Sequence, residues 1–229
     1  MTVPDTYIHG TDPGEQQRLA ADVASAAASV QVIGLERSSA QIAAAATAPN
    51  VRYVQGDAHS LQFENERYDL VYARYLLEHV TKPVDVLREM RRVTRVDGRV
   101  AACENDVTLL RLDPSCRAFE RVWQLFQQHQ RDLGGNSHIG RGLYRLFRHA
   151  GFSRIELTVQ PEVHWHGSIA FSGWIQNVIG DIESARRGLV ESGLCAEPLV
   201  DEAVAELEAF SQNSDASSHF MWNRAVAER

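Results

Sequence analysis

Apolar residues along this chain fall into two alternating rhythms. Short runs rich in β-branched residues, Val30 to Leu35, Val51 to Gln55, Tyr68 to Ala73 and Arg99 to Cys103, read as buried strands. Segments of helical spacing separate them. Ser38 and Ser39 cap a helix from Ala40 to about Thr47, which Ala48-Pro49-Asn50 ends. Lys82-Pro83 opens another, in which Val86, Met90 and Val93 share one face. Asp97-Gly98 is a turn into the strand at Arg99. Strands alternating with helices predict an α/β fold whose parallel sheet is covered on both faces.

The ends of the chain read differently. Met1 to Thr11 is an arm, and Asp12-Pro13 followed by Glu15 starts a helix that runs through an alanine-rich stretch to about Ser29. Beyond Glu104, a long helix spans about Ser115 to Leu133 and breaks at Gly134-Gly135-Asn136. A further helix, Arg141 to Ala150, stops at Gly151. Ser153 to Val159 and His219 to Val226 read as strands. Between them, about Ser168 to Gln212 is a helical cap broken near Gly193 and Pro198. Residues 1–229 form one domain, without repeats or a linker.

Composition narrows the function. A net charge of -7 argues against nonspecific nucleic-acid binding. No apolar run is long enough to span a membrane, and the first residues lack the basic and apolar regions of a signal peptide. A cytoplasmic protein is expected. Cys103, Cys116 and Cys195 stand far apart, in no metal-ligand spacing.

The candidate chemistry lies at strand ends. Glu36 closes the first strand and Asp57 follows the second, where open α/β sheets bind ligands. A carboxylate there takes a ribose diol or an adenine amino group. Equally, Glu36 could cap the next helix and Asp57 could be a turn residue. Arg74 could meet a carboxylate of cofactor or substrate, or pair with Glu78 four residues on. Glu104 and Asp106 could position a substrate amine or accept a proton, or be solvated loop acids. Asn136 and His138 are candidates for the substrate pocket. The glycines around them follow a helix rather than a strand, so they form no phosphate loop. His164-Trp165-His166 lacks a third metal ligand and reads as an aromatic pocket wall or plain surface, while Phe171 and Trp174 pack a lid.

Four segments point further: Tyr7-Ile8-His9-Gly10, Glu15 with Arg18-Leu19, Leu76-Leu77-Glu78-His79, and Gly134-Gly135-Asn136 with Ile139-Gly140-Arg141. Together they resemble bacterial and fungal class I S-adenosylmethionine-dependent methyltransferases of the small-molecule type, related to the ubiquinone/menaquinone C-methyltransferases. The resemblance implies a Rossmann-like, mostly parallel sheet with an antiparallel C-terminal strand and a helical cap. It implies methyl transfer from S-adenosylmethionine to a small-molecule acceptor. Glu36 would hold the ribose, Asp57 with Ala58 the adenine, and Arg74 another part of the cofactor. Glu104 and Asp106 would lie near the transferred methyl, and Ser168 to Gln212 would cap the acceptor.

The chain also departs from that pattern. The family's first strand and its Gly-x-Gly-x-Gly turn have no counterpart, because only Leu19 to Glu36 remains for two strands and a turn. A strand–loop–helix unit needs roughly thirty residues. Val107 stands where the family has a histidine. A degenerate member, a partner chain supplying the missing part, and an internally truncated sequence all fit this gap. The alternative function is accordingly a methyltransferase-like binding or scaffold protein without transfer activity, working as a homo-oligomer or with an active homologue. A cyclase or lyase in the same pocket is a third reading.

Overall fold

A computed structural model describes residues 31–45 and 49–229. The expected arm and helix over residues 1–29 lie outside the described residues, as does the end of the helix expected at Ala40 to Thr47. Strands β1 (Val32–Glu36) and β2 (Val51–Gln55) pair in parallel, from Val32 opposite Val51 to Glu36 opposite Gln55. Helix α1 (Ser39–Ala44) joins them, with the Ser38 hydroxyl accepting the Gln41 N–H at 3.3 Å as an N-cap.

The other strands form a second sheet, in the order β3-β4-β7-β5 with β6 also on β7. They are β3 (Tyr68–Arg74), β4 (Thr94–Glu104), β5 (Arg111–Asp113), β6 (Ile155–Trp165) and β7 (Ser217–Glu228). β3 runs parallel to β4, whereas β7 is antiparallel to β4, β5 and β6. All but the last strand of this sheet therefore point the same way, which is the predicted mostly parallel sheet with an antiparallel C-terminal strand. The expected Asp97-Gly98 turn is a register jump inside β4: Thr94 faces Tyr68, the next pair is Leu70 with Arg99, and Asp97 has φ 66.

Helix α2 (Pro83–Val93) has proline in its first turn, Asp85 near its N-terminus and Arg91 and Arg92 near its C-terminus. It buries Val86, Leu87, Met90 and Val93. Together with α4 (Leu143–His149), it covers one sheet face through Val86, Leu87, Leu143 and Phe147. The sheet meets these helices with small residues, Ala102, Ala225 and Ala227, which let the layers approach closely. A second core joins α3 (Arg117–Asp132), α5 (Phe171–Glu191) and α6 (Glu197–Gln212). Phe119, Phe126, Ile175, Ile182, Leu207 and Phe210 fill it, and Phe220 ties it to β7. Each such side chain stabilises the fold by about 1.5–3 kcal/mol. This is the predicted cap. It is broken where expected, between Glu191 and Glu197, with Gly193 at φ 72 in the break and Pro198 in the first turn of α6.

Neither core takes a side chain from β1, α1 or β2 among the described residues. Among those same residues, no helix is long and apolar enough to cross a membrane.

Candidate functional site

The parallel register of β1 and β2 places Glu36 beside Gln55, and the Gly56 N–H donates to the Glu36 carbonyl at 3.0 Å. Asp57 thus leaves β2 next to the residue that closes β1. The Glu36 carboxylate accepts the Ser38 N–H at 2.8 Å. Asp57 accepts the His59 N–H at 2.8 Å and meets the His59 ring at 2.8 Å. That backbone bond, foremost, holds Asp57 below the usual carboxylate range. Ala58 packs against the sheet core. Two acids at adjacent strand ends offer acceptors that suit a nucleoside: one for the hydroxyls of a ribose diol, one for an adenine amine. The residues present fit that half of S-adenosylmethionine. No Gly-x-Gly-x-Gly stands in the sequence to cradle the amino-acid half, and β1 and β3 lie in different sheets.

A second cluster gathers where β3 and β4 end. Arg74 closes β3, and Tyr75 follows in the left-handed region at φ 50. Such a conformation costs a bulky residue about 1–3 kcal/mol and persists only when its surroundings enforce it. The Tyr75 N–H reaches the Cys103 carbonyl at 3.1 Å, and its ring lies 4.7 Å from that of Trp222. The Arg74 guanidinium covers both rings, 4.9 Å from Tyr75 and 5.4 Å from Trp222. The Trp222 indole N–H donates to Glu162, whose other oxygen meets the His164 ring at 3.1 Å. His164 stacks on Trp174 at 5.1 Å, and the Trp174 indole donates to the Ser218 hydroxyl at 2.7 Å. Cap and sheet end are joined here by aromatic rings and one carboxylate. Phe171 and Trp174 pack in the helical core, while of His164-Trp165-His166 the last two are exposed and only His164 is turned onto Trp174. Among the described residues, no group of three His, Cys, Asp or Glu side chains is placed to hold a metal.

Each of the four residues expected to contact substrate makes hydrogen bonds within the protein. Glu104 is fully buried, and its carboxylate accepts the N–H groups of Leu76 at 3.2 Å and Leu77 at 3.0 Å. Burial, and then the nearby Glu78 charge, push Glu104 up to about 8 despite those bonds. Glu104 is therefore not an open pocket acid: it fixes the turn that carries Tyr75. For Asp106, burial alone would raise the pKa, but hydrogen bonds from Arg141 and Thr108 outweigh it and hold it low. Arg141 grips Asp106 with two nitrogens, one at 2.8 Å. The Asn136 side chain accepts the His138 N–H at 3.0 Å, and the Asn136 N–H donates to the Glu78 carbonyl at 2.8 Å. His138 meets Gln127 at 3.2 Å and is pushed down, first by burial and then by Arg141. Gly140 explains itself: a Cβ there would lie 2.7 Å from the Asn105 carbonyl and 2.8 Å from that of Glu104. Arg74 forms no ion pair with Glu78, contrary to the alternative raised from their spacing; Glu78 instead accepts from Asn105 and Gln130.

Sequence reasoning missed Tyr75, Glu162 and Trp222. Glu162 alone left a signal, the alternation Gln160, Glu162, His164 along β6, which puts those residues on one face.

Residues 11–102 match the family described as Methyltransferase domain. The uncharacterized methyltransferase YcgJ of Bacillus subtilis is 29% identical over 127 residues, 56% of this chain and 46% of YcgJ. The ubiquinone/menaquinone biosynthesis C-methyltransferase UbiE of Azotobacter vinelandii is 40% identical over 57 residues, 25% of this chain and 22% of UbiE. The chain spans less than half the length of these curated relatives. The crystal structure of a methyltransferase candidate from Bacillus halodurans superposes with a TM-score of 0.56 at 18% identity, covering 96% of this chain and 99% of that one. Residues 11–102 are thus similar to the methyltransferase-domain family, a 57-residue stretch is similar to UbiE, and the chain shares the fold of the Bacillus halodurans structure.

Proposed function

We propose that this protein transfers a methyl group from S-adenosylmethionine to a small-molecule acceptor. The observation that carries this reading is the pair Glu36 and Asp57, closing adjacent parallel strands at one sheet edge. Glu36 would take the ribose hydroxyls, and Asp57 with Ala58 the adenine. The cofactor supplies a methyl group already activated on a sulfonium. What the protein contributes is orientation and exclusion of water. Glu104 and Asp106 hold the turns around the crevice, with Asn136 and His138 behind them. Tyr75, Trp222 and the α5 residue Trp174 wall the acceptor side. All three cysteines are free, which fits a reducing cytoplasm.

A calorimetric titration with S-adenosylhomocysteine tests the reading. We expect micromolar binding that Glu36→Ala weakens at least about tenfold. No heat at millimolar ligand rejects transfer. The methyltransferase-like binding protein, acting as a homo-oligomer or beside an active homologue, would then take its place. One observation favours that alternative: without a glycine turn, several backbone hydrogen bonds to the ligand are lost, at about 0.5–1.5 kcal/mol each.

A further inference from the structure

A guanidinium carries five N–H donors in a rigid plane, and buried or half-buried ones are normally used. Arg92 shows what full use looks like. It donates to both oxygens of Glu89, to the carbonyls of Phe63 and Leu61, and to the Asn65 side chain, each at 2.8 Å. Arg141 is likewise committed to Asp106 and Thr108. Arg74 is different. It is half-buried, and among the described residues its single hydrogen bond, to the Tyr75 hydroxyl, is 3.5 Å long. Among the described residues, no carboxylate lies within ion-pair distance of it. The titratable groups that face it are Tyr75, Tyr72 and Cys103. Burial raises all three, Tyr72 to about 12, so each is neutral at neutral pH.

Cation–π contact explains how the group is held without an anion. The guanidinium carbon lies 4.9 Å from the Tyr75 ring centre and 5.4 Å from that of Trp222, so both rings favour its charge, and among the described residues most of its N–H donors are unused. An unspent donor edge suits a planar carboxylate gripped by two parallel bonds.

We propose that Arg74 is the docking point for a carboxylate in this crevice, and that the acceptor is an anionic, ring-containing molecule. The inference rests on the methyl-transfer reading for the word acceptor, but the anion site stands on Arg74 alone. Two sources share this chemistry: the acceptor, and the amino-acid end of the cofactor. Placement favours the acceptor. Arg74 leans across β4 onto Trp222 of β7, whereas Glu36 and Asp57 stand on the separate β1–β2 pair. The walls it faces are aromatic, and Glu162 on the far side is already occupied by Trp222 and His164.

The test uses the full chain, its Arg74→Gln and Arg74→Lys variants, and two pairs of probes. Benzoate against benzamide, followed by ligand-observed NMR, reads an aromatic carboxylate. S-adenosylhomocysteine against 5′-methylthioadenosine, followed by calorimetry, reads the cofactor's amino-acid end. Thermal melts check that each variant is folded. We expect the protein to prefer benzoate by about tenfold, Arg74→Gln to abolish the preference, and Arg74→Lys to keep part of it. In that case the ratio of the two adenosine ligands stays unchanged. A selective loss of S-adenosylhomocysteine affinity in Arg74→Gln, with 5′-methylthioadenosine unaffected, assigns the same carboxylate site to the cofactor. Equal binding of benzoate and benzamide, with no change in the adenosine ratio, overturns the proposal. Should neither adenosine ligand bind the wild-type protein, methyl transfer fails while the benzoate arm still decides on Arg74.

Discussion

The β1–β2 pair and the five-stranded sheet solve the same folding problem with unequal means. The larger sheet is sealed by α2 and α4 on one face and tied to a helical cap through Phe220. The smaller pair sends no side chain into either core among the described residues, and every residue of β1 is only partly buried. Both nevertheless present functional side chains at strand ends. The lesson is a division of labour. We expect Arg74, Tyr75 and Trp222 to sit on a scaffold that is rigid before any ligand arrives. We expect Glu36 and Asp57 to sit on one of lower local stability, so that binding energy goes partly into ordering it.

Substitutions sharpen this contrast. Phe126→Ala should have the largest effect: the ring is fully buried and stacks on Trp123 at 5.1 Å. We expect a loss of about 3–5 kcal/mol in denaturant unfolding, against about 1 kcal/mol for Leu35→Ala in β1. Comparable losses would contradict the division. Gly140→Ala should cost about 1–3 kcal/mol, because backbone carbonyls rather than flexible side chains crowd the new methyl; an unchanged melting temperature would show that the backbone there yields.

A smaller effect is expected from Glu104, and it depends on pH. Its pKa in the folded protein, about 8, lies above the ordinary 4.5, so between those values the folded state holds a proton that the unfolded state has released. The stability contributed by that proton is complete below the unfolded value and is lost as pH rises through the folded one. Melting temperature should fall from about pH 5 to about pH 8, and Glu104→Gln, neutral throughout, should flatten the decline. An identical slope in the variant would place the titration elsewhere.

Much of this architecture is legible in the chain. Pro83 with Val86, Met90 and Val93 predicts α2, and two strands ending on neighbouring acids predict that Glu36 and Asp57 share an edge. What escaped detection depends on long-range pairing. Pro161 reads as a strand breaker, yet β6 continues through it to Trp165, because an edge strand tolerates a missing N–H. The Glu162–Trp222 contact follows from β6–β7 register, sixty residues apart. Glu104 sits where a substrate acid was expected, but burial turned it onto the backbone of Leu76 and Leu77, and no local pattern encodes that choice.

Amide hydrogen exchange with and without S-adenosylhomocysteine tests the central claim most directly. The account predicts fast exchange in Val32–Glu36 and Val51–Gln55 in the free protein, slow exchange in β4 and β7, and strong ligand-induced protection at Glu36 to Ser38 and Gln55 to His59. Saturating ligand that leaves those amides unprotected, or protects only the five-stranded sheet, would contradict it.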